Sequence, residues 1–375
     1  MGVGIALGGA LVVLVLQMVN LSAVAGHLEH LDVTVALACG VVFLSAYVVR
    51  GLRWRRFLAP DVVAAPRVVG IYVVATFLNW LLPIQGGELA KSLMLRRLEG
   101  IPVSRSLATV GMDKTMDMLP AVALLALVPF VHLHISGVLW ALLLIASSGV
   151  LAGACLLLLA AWRRQQTVAR LSWVLGALLP ARLSDRLEPS VVHFVDTFLA
   201  LARRPRLLMV ASAYTAVAVL LDALFCLLAF RAVGVVISPA VALYGYTLYN
   251  VAYVLPTPPA HVGTNELVGL LVFAGVFGVN RSGVAAMFVF SHPWTGVLLT
   301  TGGLLSLRMI GLNVRSALAL DRPASSASSA SPASSPSPTS PTSPASSPSP
   351  AQPESFGCME SWESLEGFER AEVEP

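Results

Sequence analysis

Two short polar segments interrupt a chain that is otherwise mostly apolar, and they contain the residues best suited to bind a charged molecule. The first segment includes Glu88 and Lys91 and is followed by Asp113, Lys114 and Asp117. Lys91 and Lys114 are the two lysines of the chain. Charge of both signs is costly where lipid is the solvent and is retained mainly where it lines the path of a substrate or an ion. The segment therefore indicates a substrate site.

The spacing of the first segment predicts a helix that breaks and restarts. Pro83, Gly86 and Gly87 predict the break, and Glu88 falls at the start of the following helix, where the helix dipole favours a carboxylate. Lys91, three residues later, lies on the same helix face and can pair with Glu88.

Asp113 and Asp117 are four residues apart and share a face of the next helix, with Lys114 beside them. Such a group could hold a head group with Lys91 and Lys114 on its phosphate and with Glu88, Asp113 and Asp117 on its amine. The alternative is an ion-pair network that fixes the broken helix to the rest of the bundle.

The second polar segment repeats this pattern further along the chain. Pro258 and Pro259 predict a break, Gly263 allows close packing, and Glu266 begins the returning helix. The alternative is a rigid turn in which Glu266 is only a helix N-terminal charge. His261 is interpreted as a polar turn residue rather than a proton carrier.

Two further polar residues lie inside apolar runs. Asp222 is a candidate proton or amine partner, with a hydrogen bond to Tyr214 or to the backbone as the alternative. His292, beside Pro293, is expected to serve packing.

The composition is that of a membrane protein. Hydrophobic residues make up 57% of the chain and charged residues 12%, whereas soluble domains average about 25% charged residues. The mean hydropathy is +0.80. The net charge of +4 comes from arginines near the ends of apolar runs, which reports membrane topology rather than nucleic-acid binding. Neither the four cysteines nor any other spacing predicts a metal site or a cofactor.

Apolar runs long enough to cross a bilayer core of about 30 Å recur along the chain. The first connection between them carries no Lys or Arg and is expected outside, whereas the second carries five arginines and is expected in the cytoplasm. The arginine-rich stretch 162–206 is expected to be another cytoplasmic loop. Full spans are predicted near residues 3–21, 33–49, 107–131, 137–161, 207–230 and 284–307.

The same arginine rule predicts two re-entrant hairpins of opposite orientation. Basic residues flank 68–84 and 88–98 on both sides, so this pair should enter and leave on the cytoplasmic face. Residues 240–280 should begin and end outside. Transporters place binding sites at such helix breaks near the membrane midplane. The alternative is that both runs cross completely and the arginine rule fails once.

The two ends of the chain differ from its middle. The apolar start is expected to be a retained span rather than a cleaved signal peptide, because it lacks the basic n-region of a signal peptide. Residues 1–322 are predicted to form one transmembrane domain, 323–353 a Ser/Pro/Ala-rich disordered linker and 354–375 an acidic tail. The tail is expected to be cytoplasmic and could dock a cytoplasmic partner.

These residues together give the chain a family resemblance. It resembles the flippase-like transmembrane family of bacterial lysylphosphatidylglycerol synthases, in a stand-alone form without the synthase domain. Segment 83–91, followed by Asp113, Lys114 and Asp117, and the later segment 258–266 carry the resemblance. Gln85 stands where the family has Arg, Ala260-His261 where it has a Gly pair, and Ser291-His292 where Arg is common.

The resemblance implies a multi-pass protein of the bacterial inner membrane that moves lipids between leaflets and is not itself an enzyme. A phospholipid, anionic or aminoacylated, or an isoprenoid-linked lipid is the expected substrate, with no nucleic acid as a partner. One alternative is an accessory protein that docks a cytoplasmic lipid- or envelope-modifying enzyme. Another is an intramembrane transferase that uses Glu88 or Asp117 as a base.

Overall fold

The computed structural model describes residues 2–81, 86–127, 181–251 and 258–312, with a few isolated positions between 148 and 173. Every element in these ranges is helical, as the sequence predicts. In chain order the elements are α1 (Gly2–Met18), α2 (Leu21–Glu29), α3 (Val33–Phe57), α4 (Ala65–Leu81), α5 (Gly87–Glu99), α6 (Val103–Leu127), α7 (Ala181–Ala202), α8 (Pro205–Ala232), α9 (Pro239–Val251), a 3-10 turn (Pro259–His261), α10 (Thr264–Gly269), which continues as a π-helix (Leu270–Val276), and α11 (Arg281–Met309).

Three of the described helices, α3, α8 and α11, are long and apolar enough to cross a membrane. The bent pair α1–α2 gives a fourth crossing if it is counted as one span. The protein is therefore a membrane protein, and it is all-helical in the ranges that the structure describes. The count of six full spans with two re-entrant hairpins stays a prediction. The span predicted near 137–161 and the tail segments 323–353 and 354–375 lie outside the described residues.

The first predicted span is not one straight helix. α1 ends at Met18, and α2 leaves it at an angle of 90°. Asn20 causes the break, because its side chain accepts hydrogen bonds from the backbone N–H groups of Ser22 and Ala23 and so starts a new helix.

Helix α3 is longer than predicted, and this changes the role of its arginines. Asp32 caps its N-terminus by accepting a hydrogen bond from the Val35 N–H. The helix then runs to Phe57 instead of ending near residue 49, so Arg50 and Arg53 belong to the helix and not to a cytoplasmic loop. They lie three residues apart on one helix face, which turns them into the bundle.

The stretch 162–206, predicted as a loop, contains the helix α7, which packs against α6. Phe194 and Phe198 stack on each other with 6.3 Å between ring centroids and lie against Gly111 of α6. Burial of this apolar face explains why a helix forms where the count of arginines predicted only a loop.

The first hairpin, defined as α4 and α5 with the residues between them, is antiparallel. Asn79 near the end of α4 contacts Glu88 at the start of α5, and Arg67 near the start of α4 pairs with Glu99 at the end of α5. At the tip, Gly87 lies so close to α4 that a Cβ atom there would overlap the Ala75 carbonyl oxygen. Only glycine permits this approach.

Helix α11 shows where the first hairpin reaches. Gly70 of α4 lies beside Ile310, just past the C-terminal end of α11. The Trp80 ring near the hairpin tip packs on Gly296, which lies in the middle of α11. The first hairpin therefore runs from the C-terminal end of α11 to its centre.

The second hairpin, defined as α9, α10 with its π-helix and the residues between them, comes from the other end. Gly269 packs against the Phe288 ring, and Glu266 at the tip contacts His292. The tips of the two hairpins thus meet near residues 292–296 of α11.

Candidate functional site

A cavity of about 520 Å³ lies between the two hairpin tips. Both tips line it, together with side chains of α3, α6, α8 and α11. Its size falls in the range of roughly 300–1,000 Å³ that is usual for ligand pockets in proteins. The walls alternate aromatic rings with charged and amide side chains, so the cavity suits a polar group attached to an apolar body.

Glu88, at the tip of the first hairpin, binds both lysines of the chain. Its carboxylate lies 2.9 Å from the Lys91 Nζ and 3.0 Å from the Lys114 Nζ. The Asn79 amide donates a further hydrogen bond to it, and the Asn79 carbonyl oxygen accepts one from the Gly87 N–H, which satisfies the start of α5. The two lysines differ in exposure, with 2% of the Lys91 side chain and 45% of the Lys114 side chain accessible.

Arg53 is the buried centre of the charged residues. Its guanidinium lies 2.8 Å from Asp113 and 2.7 Å from Asp117, and it donates a hydrogen bond of 2.9 Å to the Thr215 hydroxyl. Asp113 is fully buried and also lies 3.9 Å from Lys91. Arg53 thus joins α3 to α6 and α8.

Arg50 extends the same chain of contacts to α8. It forms a bidentate pair with Asp222, the shorter contact being 2.5 Å, and its Nε lies 3.9 Å from Asp117. We call the eight residues so connected the charge network. It comprises four cations and four carboxylates: Arg50, Arg53, Lys91, Lys114, Glu88, Asp113, Asp117 and Asp222.

Aromatic rings lie against two of the four cations of the charge network, Lys91 and Arg50. The Lys91 Nζ lies 3.8 Å from the centroid of the Tyr72 ring and 5.5 Å from that of Trp54, and the Arg50 guanidinium lies 5.6 Å from that of Tyr47. Cation–π attraction of this kind strengthens in a desolvated site. It holds these cations in place beside the cavity.

A histidine of α11 contacts two groups at the tip of the second hairpin. His292 of α11 places its Nδ1 2.6 Å from Glu266 and its Nε2 2.7 Å from the Ala260 carbonyl oxygen. The other oxygen of Glu266 accepts a hydrogen bond of 2.8 Å from the Gly263 N–H. We call this arrangement the histidine clamp, defined by His292, Glu266 and Ala260.

Comparison with known proteins identifies the family that has this architecture. Residues 1–303 match the family described as the lysylphosphatidylglycerol synthase transmembrane region. The chain belongs to this family. The resemblance carried by segments 83–91 and 258–266 is thereby confirmed.

A curated relative is also similar to the chain. The protein named glycosyltransferase AglD from Haloferax volcanii is 25% identical over 358 residues. The match covers 86% of this chain but 56% of the relative, so the chain spans about half the length of that protein. No solved structure matches the chain. The family and this relative together connect the chain with lipid-related or glycan-related processes at a membrane.

The predicted site residues of this family member fall into two layers. Glu88, Lys91, Lys114 and Asp117 line the cavity. Asp113 lies behind the wall against Arg53 and Lys91. Glu266, the sixth predicted residue, reaches the cavity through His292, which lines it.

The residues predicted to break the helices are found at or beside the tips. Gly86 precedes α5, Gly87 begins it, and Gly263, with φ of 79°, precedes α10. Pro258 and Pro259 enter the 3-10 turn of the second tip. Pro83 lies outside the described residues.

For two residues of the site, Asp222 and His292, the interactions differ from those predicted from the sequence. Asp222 pairs with Arg50 and not with Tyr214, whose hydroxyl lies 3.4 Å from Arg56. His292, expected to serve packing, makes two polar contacts instead. In each case a polar residue lies inside an apolar run, which indicates that it has a polar partner. The partner could not be identified because it is distant in the sequence.

Metal-ligating side chains are dispersed in the part of the chain that the structure describes. Within it, no group of three or more His, Cys, Asp and Glu side chains is placed to hold a metal ion. The carboxylates of the cavity face cations of the charge network instead.

Proposed function

We propose that this family member moves the polar head group of a lipid between the two leaflets through the central cavity, while the acyl chains stay in the bilayer. One observation carries the proposal. The tips of two hairpins that come from opposite ends of α11 line the same cavity. Movement of one tip and then of the other would open this cavity alternately to the two sides, as in transporters built from opposed broken helices.

The balance of charge favours a head group that carries both signs. Three cations and three carboxylates of the charge network line the cavity and are already paired with each other. A phosphate can take the place of Glu88 on Lys114, and an amine can take the place of a lysine on Glu88. A zwitterionic head group therefore exchanges ion pairs without leaving a buried charge uncompensated, which is the costly outcome in a low-dielectric site. Anionic and aminoacylated phospholipids are the other candidates.

The distribution of basic residues supports an orientation. Arg67 pairs with Glu99, and Arg105 pairs with Asp61, so the starts of α4 and α6 and the end of α5 lie together. Arg308 ends α11 at the same side, because Ile310 lies beside Gly70. The positive-inside rule assigns this side to the cytoplasm. We therefore propose that the C-terminus lies in the cytoplasm. The bacterial inner membrane is the location that the family resemblance implies.

Transport is proposed in preference to catalysis. Glu88 faces two lysines and Asp117 faces two arginines. A transferase that used either carboxylate as a base would first have to displace a cation from it. The name of the glycosyltransferase from H. volcanii describes that longer protein, of which the match covers 56%.

The test is translocation of fluorescent head-group-labelled lipids in reconstituted vesicles. We expect Glu88→Gln and Glu266→Gln to abolish protein-dependent translocation while the protein still folds, because each change alters the link at one tip. Glu99→Gln is the matched control, since Glu99 pairs with Arg67 at the far end of the first hairpin. It should translocate like the wild type.

The proposal fails if well-folded wild-type protein moves none of a zwitterionic, an anionic, an aminoacylated and an isoprenoid-linked lipid. Deletion of residues 323–375 separates transport from docking. A transporter keeps its activity without the acidic tail, whereas an accessory protein that recruits a cytoplasmic enzyme loses its effect.

A further inference from the structure

The partners of the two ring nitrogens of His292 show how many protons the histidine clamp holds. The Ala260 carbonyl oxygen can only accept a hydrogen bond, so the Nε2 of His292, at 2.7 Å, must carry a proton. The Nδ1 of the same ring lies 2.6 Å from a Glu266 oxygen. A neutral imidazole protonated on Nε2 and an ionised carboxylate would there oppose two lone pairs. One additional proton must therefore lie between Nδ1 and the carboxylate.

The loss of this proton would break the clamp. Either Nδ1 and the carboxylate repel each other, or the remaining proton moves to Nδ1 and the hydrogen bond to Ala260 is lost. The proton leaves to the water of the cavity, which His292 lines, and the formal charge of the His292–Glu266 pair changes from 0 to −1. The clamp can thus exist in a proton-loaded and an empty state.

The backbone that the clamp holds is strained. Ala260 and His261 have φ values of 54° and 58°, in the left-handed region that residues other than glycine rarely adopt. Such a conformation is unfavourable and persists only where its surroundings hold it. Release of the Ala260 carbonyl would therefore let the turn relax. The strain thus favours a different conformation of the second hairpin tip once the clamp is released.

The groups that face His292 come from two neighbouring elements. Glu266 of α10 shares the proton, and His261 of the turn lies close enough for its charge to interact with that of His292. α1, which packs on the turn, has no ionisable side chain between Gly2 and Met18. In α4, Arg67 pairs with Glu99 at the far end, and the charged residues across the cavity are paired within the charge network.

The geometry points to the His292–Glu266 pair as a proton-binding site that holds the second hairpin tip closed when loaded and frees it when empty, so that the proton is the coupling ion of transport. The coupling rests on the function proposed above. The proton site itself does not, and it can be tested without any lipid.

The test measures thiol labelling at the turn as a function of pH. In a background without the native cysteines, Ala260→Cys reports the half-buried tip, and Val236→Cys, at a position that is 92% exposed, corrects for thiol ionisation. Labelling by a small maleimide in nanodiscs is compared between about pH 5.5 and 8.5, which spans the usual titration of histidine. We expect the labelling rate at position 260, divided by that at position 236, to rise by up to about tenfold per pH unit. The reason is that the ratio of the empty to the proton-loaded clamp rises by that factor.

Glu266→Gln is the decisive variant, because its amide replaces the proton. The amide N–H donates to Nδ1 while the amide carbonyl still accepts from the Gly263 N–H, so labelling should be slow at every pH. Glu266→Ala should also label independently of pH, because no carboxylate then opposes Nδ1 and Nε2 can keep its proton on the Ala260 carbonyl at every pH. A flat wild-type ratio, or a rise that persists in Glu266→Gln, overturns the proton site.

Lipid translocation under an imposed pH gradient tests the coupling. A gradient that biases translocation in the wild type but not in His292→Gln supports it. If labelling depends on pH as expected but no lipid moves, the proton site stands and the proposed function fails. If lipid moves without any response to the gradient, the transport proposal stands and the coupling fails.

Discussion

The two hairpins use the same device and hold it in place differently. Each returning helix has a glycine and a glutamate at its N-terminus. The first glutamate contacts a lysine beside the cavity, and the second contacts a histidine. Glu88 belongs to a network of eight charges that reaches four helices, whereas Glu266 has one histidine, which also binds a carbonyl group. Fixed charges tie the first tip, whereas the second tip combines the histidine clamp with packing against α1.

The difference suggests a division of labour. Lysine and arginine keep their charge over the physiological pH range, so the ties of the first tip change only when a ligand replaces them. Histidine can gain or lose its proton in that range, so the tie of the second tip can change without a ligand. The first hairpin is therefore suited to recognise a head group, and the second to control access.

The largest expected effect on the free energy of unfolding comes from replacing Arg53, the buried centre of the charge network, and a smaller one from replacing His292 of the histidine clamp. Arg53→Met leaves Asp113 buried beside a lysine that is 3.9 Å away, and it should lower the free energy of unfolding by about 3–5 kcal/mol. His292→Gln loses hydrogen bonds at a smaller cluster and should cost about 1–3 kcal/mol. Denaturant unfolding of both variants in mixed micelles measures the two values.

The matched control for this pair is Arg56→Met, because Arg56 is an arginine of the same helix that contacts Tyr214 at an exposed position. It should change the free energy of unfolding by less than about 1 kcal/mol. Equal stability of Arg53→Met and the wild type would show that the pairs of Arg53 with Asp113 and Asp117 do not stabilise the packing of α3 against α6.

Glycine-to-alanine changes at the two tips should cause intermediate losses for different reasons. Gly87→Ala meets the backbone of α4, and Gly263→Ala meets Leu11 of α1 and requires a left-handed backbone. Overpacking of this kind costs about 1–3 kcal/mol. The second change should be partly rescued by Leu11→Gly, which removes the opposing Cβ atom, and the first should not. Thermal unfolding of the single and double variants decides whether the second tip is packed against α1.

The smallest effect on stability is expected from Lys114→Met. Lys114 pairs with Glu88 but is 45% exposed, so the loss should be about 0–1 kcal/mol. Translocation of phosphate-containing lipids should nevertheless fall, because this lysine is free to exchange Glu88 for a phosphate. If Lys114→Met unfolds as readily as Arg53→Met, Lys114 is a structural residue and the proposed exchange is wrong.

Much of the architecture could be predicted from local patterns. The length of apolar runs located α3, α8 and α11, and the glycine-glutamate pairs located the tips because a helix break and a helix start are local events. The arginine distribution predicted re-entrant hairpins of opposite orientation, and this stays a prediction. The contacts of Trp80 and Glu266 place the two tips at neighbouring positions along α11.

The partners of the charged residues could not be predicted. Arg53 contacts residues that are 60 and 162 positions away, and Arg50 contacts one 172 positions away. A helical pattern shows that two residues share a face but not which helix that face meets. Arg50 and Arg53 were therefore assigned to a loop on charge alone, although helix α3 continues past them and Arg53 is buried and Arg50 half-buried in the bundle.

Contact between α1 and the turn of the second hairpin has a consequence for biosynthesis. Gly8 and Leu11 pack against the turn at Pro258 and Gly263, so α1 contacts residues that the ribosome makes about 250 positions later. At ~5–20 residues per second, α1 must wait roughly 12–50 s in the membrane for its partner. Chaperones or insertases that shield an unpaired apolar segment would therefore act on α1 long after its synthesis.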